Sequence, residues 1–240
     1  MGRILILYNN KSTGNALRPG WGFSALIEHD GKRLLFDVGA DVLVFEHNVK
    51  ALGVDPKTTD ALVLSHEHCD HIGAISAALH RNLDVYYPAS FSSQFKKEIG
   101  DERKKPLWTP HPVTDPLGIV PGVRSTGELK SRSGIVEQGL IVDGQDGPVL
   151  VTGCAHPGIV EMVKVAADIT DRCPQLVLGG FHLLRKKTAE VQAIAMGLKQ
   201  LGVKQLAPCH CTGERAMAIL REAFGDTLIK IDVGTEIAVR

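Results

Sequence analysis

Residues 61–71 read ALVLSHEHCDH, and this stretch carries the clearest indication of fold and chemistry in the chain. The apolar run from Ala61 to Ser65 is typical of a short buried strand. His66 and His68 follow it directly and are two residues apart, so in an extended loop their rings project to the same side and can share one metal ion. Asp70 and His71 then turn toward a second ion. The stretch therefore predicts a metal centre just past a strand end, since imidazole and carboxylate groups are ligands of zinc, iron and manganese.

Three further apolar runs each lead into a turn that bears a histidine. His156 follows residues 149–152, His182 follows residues 176–178 and His210 follows residues 203–207. Ligand sites in layered α/β folds form where strand ends line up along one sheet edge, so these turns are expected to converge on one cavity. The histidines outside these turns are interpreted as surface or packing residues: His29, His47, His80 and His111.

Short β-like runs alternate with helical patterns along the chain, which is the signature of stacked α/β units. A strand is predicted over residues 3–8. Asp30-Gly31 supplies the positive φ angles of a tight hairpin turn, so the runs 23–29 and 33–37 are predicted to pair. Helices are predicted from Thr188, as the N-terminal cap, to Gly202 and over residues 214–224. We expect one α/β domain over residues 1–240.

The pattern weakens over residues 88–147, where Pro, Gly, Ser and charged residues dominate. A long irregular segment inside a compact domain tends to be functional, so we expect an insertion that forms a lid or substrate-binding segment over the active site rather than a plain connector. Arg103-Lys104-Lys105 lies within it and is a candidate for binding an anion. A solvated basic turn is the alternative.

Charge and composition exclude several classes of partner. Lys plus Arg total 27 and Asp plus Glu total 27, so no basic field is present to hold nucleic acid or an anionic membrane. No apolar run approaches the roughly 20 residues that span a bilayer, and the first residues lack the features of a signal peptide, so the cytoplasm is the expected location. The five cysteines are an odd number and three of them adjoin histidines, which favours reduced thiols near a metal over a disulfide framework. We expect a small anionic substrate that is recognised locally, and a homo-oligomer is left open.

His66-x-His68-x-Asp70-His71, with LFDVG at residues 35–39 upstream and isolated histidines downstream, resembles the metallo-β-lactamase superfamily over nearly the whole chain. The resemblance implies an αββα sandwich, a four-layer α/β (α+β) fold with two divalent metal ions. Zinc is expected, with manganese, iron or magnesium as alternatives. Asp70 is also expected to act in catalysis, by accepting a proton. The resemblance assigns the first ion to His66, His68 and His156, the second to Asp70, His71 and His210, and a supporting role beneath the site to Asp37.

Three parts of this assignment leave alternatives open. On spacing alone, Asp37 could equally be the end of a strand that makes a turn. Cys209 or Cys211 could replace His210 as a ligand. The superfamily usually offers a Gly-Asp pair whose carboxylate bridges the two metals, but this sequence has Gly179-Gly180 there, and His182 nearby could contact substrate or metal or be a buried histidine. With Asp70 as the one anionic ligand, two divalent ions leave a charge of about +3, so a phosphate group is expected to raise occupancy of the second site.

Three blocks narrow the resemblance: GCAHPGI at 153–159, GGFHL at 179–183 and CHCTG at 209–213. They resemble the branch named for 7,8-dihydropterin-6-methyl-4-(β-D-ribofuranosyl)aminobenzene-5′-phosphate synthase. That name implies joining a dihydropterin methyl diphosphate to a ribosylaminobenzene phosphate, a step of methanopterin synthesis. Arg185 and Lys186 precede a helix N-terminus and are candidates for binding the substrate's anion, with a solvated basic turn as the alternative.

Two other functions are weighed against the synthase. The first is a cytoplasmic metallo-hydrolase of a phosphoester, lactone or thioester, which would use the same two ions. The second is a redox or gas-binding metal protein, which is disfavoured because the sequence has no flavodoxin-like Gly-rich loop.

Overall fold

The computed structural model describes residues 2–99 and 108–240. Its strands are β1 Gly2–Tyr8, β2 Ser24–His29, β3 Lys32–Phe36, β4 Ala61–Val63, β5 Asp84–Pro88, β6 Thr109–Val113, β7 Leu117–Val120, β8 Val123–Ser125, β9 Leu129–Lys130, β10 Val136–Glu137, β11 Leu140–Val142, β12 Val149–Thr152, β13 Leu176–Gly180, β14 Gln205–Cys209 and β15 Glu236–Val239. Its α-helices are α1 Val42–Ala51, α2 Cys69–Ile72, α3 Ile75–Ala78, α4 Ser93–Ile99, α5 Ile159–Thr170, α6 Thr188–Leu201 and α7 Glu214–Phe224.

The described strands form two main sheets. Sheet 1 has the order β15-β1-β2-β3-β4-β5-β6, and sheet 2 has the order β14-β13-β12-β11-β8-β7. A cluster of buried residues that includes Ile6 and Val151 fills the space between the sheets. A second cluster joins sheet 1 to α1, α3 and α4, and a third joins sheet 2 to α5, α6 and α7. These three apolar interfaces separate four layers, so the expected αββα sandwich is confirmed.

The hairpin predicted around Asp30-Gly31 is present as β2 and β3, which pair antiparallel with His29 opposite Lys32. Asp30 has φ 46° and Gly31 has φ 78°, the two positive values that a tight two-residue turn requires. The predicted helix α6 begins at Thr188 itself, with Lys187 as the cap, while its end at Gly202 and the bounds of α7 agree with the sequence pattern. None of the described helices is long and apolar enough to cross a membrane.

Parallel strands bring four histidine-bearing turns to one end of the sandwich. In sheet 1, β3 and β4 are parallel, with Phe36 opposite Val63. In sheet 2, β12, β13 and β14 are parallel neighbours. Both faces of these sheet 2 strands are covered, which explains their continuous apolar runs. Because parallel strands end at the same sheet edge, the turns after β12, β13 and β14 lie side by side.

Much of the segment 88–147 is part of the sandwich, so the expectation of an insertion over this whole range was wrong. It supplies β6 to sheet 1 and β7, β8 and β11 to sheet 2, together with the small β9–β10 pair. The sequence concealed these strands because β6 contains two prolines, Pro110 and Pro112, and β6 and β7 lie at the edges of the described sheets, where proline is tolerated. Arg103-Lys104-Lys105 lies outside the described residues.

Candidate metal centre

Five imidazole rings meet at the end of the sandwich where the parallel strands terminate. The ring centroids of His66 lie 4.7 Å from His68, 4.6 Å from His156 and 4.1 Å from His71. His71 and His210 are 5.1 Å apart. His66, His68 and His71 come from the turn after β4, and the other two from the turns after β12 and β14. The predicted convergence of separate strand ends is therefore observed.

The first group has its ring nitrogens turned inward. His66 Nε2 and His68 Nδ1 are 3.2 Å apart, and the ring of His156 lies 4.9 Å from that of His68. Burial, followed by neighbouring imidazoles, lowers the pKa of both His66 and His68, so both rings are neutral at neutral pH. Two neutral nitrogens at this distance need a proton or a cation between them, and a divalent ion satisfies both lone pairs.

The second group contains Asp70, His71 and His210. Helix α2 begins directly after His68, whose backbone is extended, and the helix carries both Asp70 and His71. Asp70 Oδ2 is 3.2 Å from His210 Nε2 and 3.9 Å from His71 Nε2. His210 Nε2 is buried and, among the described residues, lacks a partner in hydrogen-bond geometry, since the short contact with Asp70 is off-direction. Burial opposes ionisation of Asp70, but the contact with His210 and the charge of His71 hold its pKa well below the usual range.

Asp37 lies beneath the site and fixes the orientation of two rings. It is fully buried and accepts from Ser65 N at 2.7 Å, from Ser65 Oγ at 2.7 Å and from His71 Nδ1 at 2.7 Å. Ser65 Oγ in turn lies 2.9 Å from His66 Nδ1. Protons at these Nδ1 atoms leave the Nε2 lone pairs of His66 and His71 free for a metal. Burial raises the pKa of Asp37. Burial alone would lower the pKa of His71, but the Asp37 carboxylate has the larger effect, and the pKa of His71 is raised.

Glu137 plays the equivalent part on the other side and was missed from the sequence. Its carboxylate accepts from His156 Nδ1 at 2.8 Å and from the backbone N–H groups of Cys154, Ala155 and His156 at 2.8, 2.8 and 2.9 Å. Burial would raise the pKa of Glu137, but the hydrogen bond with His156, followed by the electrostatic interaction with the His66 ring, holds it well below the usual range. In the sequence, the one sign of this role is that Glu137 is an acidic residue within an apolar run. That run lies in residues 88–147, the segment interpreted as an insertion.

Cys154 is a second residue that sequence reasoning passed over. Its Sγ lies 3.2 Å from His71 Nε2. It groups with His66 and His156 in one set of candidate ligand atoms and with His71 and His210 in another, each set lying within 4.8 Å. Contact with Cys211, and then burial, raise the pKa of the Cys154 thiol. In the sequence, the one sign that Cys154 lies at the site is its position two residues before the predicted ligand His156.

Cys209 and Cys211, which the sequence left open as ligands in place of His210, have different surroundings from Cys154. Cys209 packs among the apolar residues between the two sheets, which does not favour it as a ligand. Cys211 groups with Cys154 and His182 in a third set of ligand atoms within 4.8 Å. The ring of His182 lies 4.4 Å from that of His156, so it stands at the edge of the first group.

Arg185 and Lys186 follow His182 in a basic turn. Lys186 Nζ is 3.2 Å from Glu190 Oε1 on the exposed start of α6, and neither Lys186 nor Arg185 lines the cavity beside His210.

Four residues at the site that are not glycine have positive φ angles. These angles are 55° at Asp37, 57° at Ala155, 53° at His182 and 49° at His210. Left-handed conformations of residues other than glycine concentrate at functional sites, where the surrounding structure holds them.

A cavity of about 480 Å³ opens beside His210. Trp21, which is 52% exposed, lies 4.8 Å from the His210 ring and forms part of its apolar wall together with Leu184 and Met217. Arg221 and Lys230 are on its rim. Lys230 pairs with Asp232 at 2.9 Å, whereas Arg221 has no ion-pair partner within residues 2–99 and 108–240. Another cavity, of about 570 Å³, lies at the opposite end of β4 and contains none of the clustered histidines.

Comparisons with known proteins agree with this arrangement. A family model described as the metallo-beta-lactamase superfamily matches residues 17–172. The chain is 29% identical, over 90% of each chain, to the 7,8-dihydropterin-6-methyl-4-(beta-D-ribofuranosyl)-aminobenzene-5′-phosphate synthase of Methanocaldococcus jannaschii. The solved structure of Tm1679, described as a metal-dependent hydrolase of the beta-lactamase superfamily, has a TM-score of 0.82 and 26% identity over 100% of this chain and 99% of its own. YhfI from Bacillus subtilis, a metallo-beta-lactamase fold protein, has a TM-score of 0.72 and 15% identity over 99% of this chain and all of its own, which bears on the fold alone.

Proposed function

Because the chain belongs to the metallo-beta-lactamase superfamily, we propose that it is a metal-dependent enzyme that acts on a phosphorylated small molecule at the histidine centre. His66, His68 and His156 would hold one divalent ion, and Asp70, His71 and His210 would hold a second. Zinc fits these nitrogen and oxygen donors. When bound, such ions neutralise negative charge on phosphate or diphosphate oxygens and polarise the bond that breaks.

The reaction proposed is a transfer of the synthase type, and the 29% identity over 90% of the chain to the M. jannaschii synthase supports it. In such a transfer, an amine or ring carbon of one substrate attacks the methylene carbon of the other. The methylene carbon–oxygen bond breaks and diphosphate leaves with the electron pair. The proton lost by the nucleophile passes to Asp70 or to water.

The observation that carries the choice of substrate class is the cavity beside His210. Its exposed Trp21 offers a flat face on which a heteroaromatic ring can stack. Arg221 on the rim can bind two phosphate oxygens at once through its planar guanidinium group. A volume of about 480 Å³ is within the range of small-molecule sites. This combination favours a ligand that has both a ring and a phosphate.

Hydrolysis of a phosphoester, lactone or thioester is the second candidate. The likeness to Tm1679, described as a metal-dependent hydrolase, at 26% identity over the whole chain supports it. The two candidates differ in the nucleophile, which is an amine or ring carbon in the transfer and water in the hydrolysis.

The cytoplasmic location and a possible homo-oligomer stay predictions.

Product analysis decides between them. The purified, metal-loaded protein is incubated with a dihydropterin methyl diphosphate and a ribosylaminobenzene phosphate, and in parallel with phosphoester, lactone and thioester panels. We expect a joined product and free diphosphate in the first reaction only. Turnover of a panel substrate without any joined product would support the hydrolase instead.

Arg221→Ala, compared with Arg81→Ala as an exposed arginine far from the cavity, tests the binding site. We expect KM for the phosphorylated substrate to rise about tenfold or more in Arg221→Ala, as loss of a charge-assisted contact implies, with little change in Arg81→Ala. Equal KM values in both variants would remove the cavity from the proposal.

A further inference from the structure

Cys154 Sγ is the atom that the two candidate metal groups have in common. In one group it lies within 4.8 Å of ring nitrogens of His66 and His156, and in the other within 4.8 Å of those of His71 and His210. Ligand atoms around a tetrahedral zinc ion are separated by roughly 3.3–3.8 Å, given zinc bonds of 2.0–2.3 Å. The observed 3.2 Å from Sγ to His71 Nε2 is close to that edge length. Small movements would allow both groups to close around an ion while sharing the sulfur.

The end of the neighbouring strand β13 has no room for a carboxylate at residue 180. A Cβ atom added to Gly180 would lie 2.4 Å from Gly153 O and 2.7 Å from Cys211 Sγ. At Gly179 it would lie 2.0 Å from Thr152 O. The ends of β12 and β13 therefore approach too closely for an acidic side chain between them. The absence of an acid from the Gly179-Gly180 pair thus has a structural reason.

We infer that Cys154 is the anionic ligand shared by the two ions, in place of a bridging carboxylate. The inference rests on the two-metal centre of the proposed function. A divalent ion deprotonates a thiol that coordinates it, so Cys154 would bind as a thiolate. Its backbone is held for this role, because Glu137 accepts the N–H groups of Cys154, Ala155 and His156 and thereby fixes the turn.

A Cys154 thiolate also changes the charge of the centre. Two divalent ions bring four positive charges, of which Asp70 and Cys154 would offset two, leaving about +2 instead of about +3. Asp37 and Glu137 are both fully buried directly behind ligand imidazoles and can offset the remaining two. The protein itself would therefore balance the ions without a permanently bound anion.

Cys211 is the competing thiol, and its contacts differ. Its Sγ is 3.3 Å from the N–H of His182 and 3.6 Å from Cys154 O. The set of ligand atoms to which Cys211 belongs contains Cys154 and His182 but none of the five clustered imidazoles. Cys211 therefore supports the turns around Cys154.

The experiment measures metal–sulfur bonds directly. Wild-type protein, Cys154→Ala, Cys211→Ala and the remote control Cys173→Ala are loaded with zinc, their metal content is measured, and the number of sulfur atoms per zinc is obtained from X-ray absorption at the Zn–S distance of about 2.3 Å. A shared thiolate gives about one sulfur per zinc at two zinc per chain, whereas a thiolate on one ion gives about half. Cobalt-loaded samples report the same bond through the thiolate charge-transfer band.

We expect about one sulfur per zinc and the charge-transfer band in wild type, Cys211→Ala and Cys173→Ala, and neither in Cys154→Ala. The second zinc should also bind Cys154→Ala at least about 10–100-fold more weakly, since even loss of an outer-shell partner has that effect. Circular dichroism checks that each variant is folded.

The outcomes separate this inference from the proposed function. Two zinc ions without sulfur, half a sulfur per zinc, or loss of the sulfur signal in Cys211→Ala alone would each overturn the role of Cys154 while leaving the metal centre intact. Wild-type protein that binds no zinc, cobalt, manganese or iron would overturn the metal centre itself. If Cys154→Ala does not fold, the sulfur count in wild type and Cys211→Ala still decides the inference.

Discussion

At the scale of single residues, Asp70 is the anionic side chain placed between two ring nitrogens, with Oδ2 3.2 Å from His210 Nε2. Asp70→Asn keeps the shape of the side chain and removes its charge and basicity. We expect kcat to fall by about 10²-fold or more, the usual effect of losing a group that moves a proton. Steady-state kinetics beside the exposed control Asp146→Asn measure it. A rise in KM with kcat unchanged would assign Asp70 to substrate binding instead.

Glu137 leads to a prediction that is independent of the reaction. Its two carboxylate oxygens accept four N–H groups around His156, and glutamine can accept on one side only. Glu137→Gln should therefore lower the free energy of unfolding of the metal-free protein by about 1–3 kcal/mol and weaken metal binding about 10–100-fold. Urea denaturation and metal titration measure the two effects, with the exposed Glu161→Gln as control. Unchanged values in both would show that the turn is held by other contacts.

At the scale of elements, the strands at the site approach so closely that glycine is required at Gly153. A Cβ atom there would lie 2.1 Å from Ser65 Oγ and 3.0 Å from Asp37 Oδ2. We expect Gly153→Ala to destabilise the fold by about 1–3 kcal/mol through overpacking. In helix α6, Gly197 has ordinary space, with Val160 Cγ2 at 3.5 Å, so Gly197→Ala should stabilise by about 0.5–1 kcal/mol. Denaturant midpoints of the two variants should shift in opposite directions, and a shift in the same direction would contradict the packing argument.

At the scale of the whole molecule, the candidate metal centre draws its residues from both sheets. His66, His68 and His71 follow a strand of sheet 1, and His156 and His210 follow strands of sheet 2. Ions bound to these residues in the folded state alone would stabilise it, by about 2.7 kcal/mol when free metal is 100 times Kd. We expect a chelator to lower Tm of the loaded protein and to have no effect on a His66→Ala, His210→Ala double variant. A wild-type Tm that is insensitive to chelator would argue against ligands drawn from both sheets.

The overall charge of the centre determines whether it needs an added anion. From sequence alone, phosphate was expected to raise occupancy of the second site. With Cys154, Asp37 and Glu137 included, we expect phosphate to raise the second metal's affinity less in wild type than in Cys154→Ala, by the reciprocal coupling of two ligands. Calorimetric titration with and without phosphate measures this. An equal phosphate effect in both proteins would show that Cys154 does not supply the missing charge.

The sequence by itself determined the αββα class and which histidines would meet. The turn after β4 carries its ligands within a few residues, and the turns after β12 and β14 follow parallel strands that end at one edge. Local spacing is enough for such predictions, because neighbouring residues in a turn share a direction. Only the tertiary structure showed where Glu137, Cys154 and Arg221 lie relative to the clustered histidines, and it alone showed the strands within residues 88–147. Each of these depends on strand pairing or layer packing that brings distant parts of the chain together, and no local pattern records which distant side chain will lie opposite.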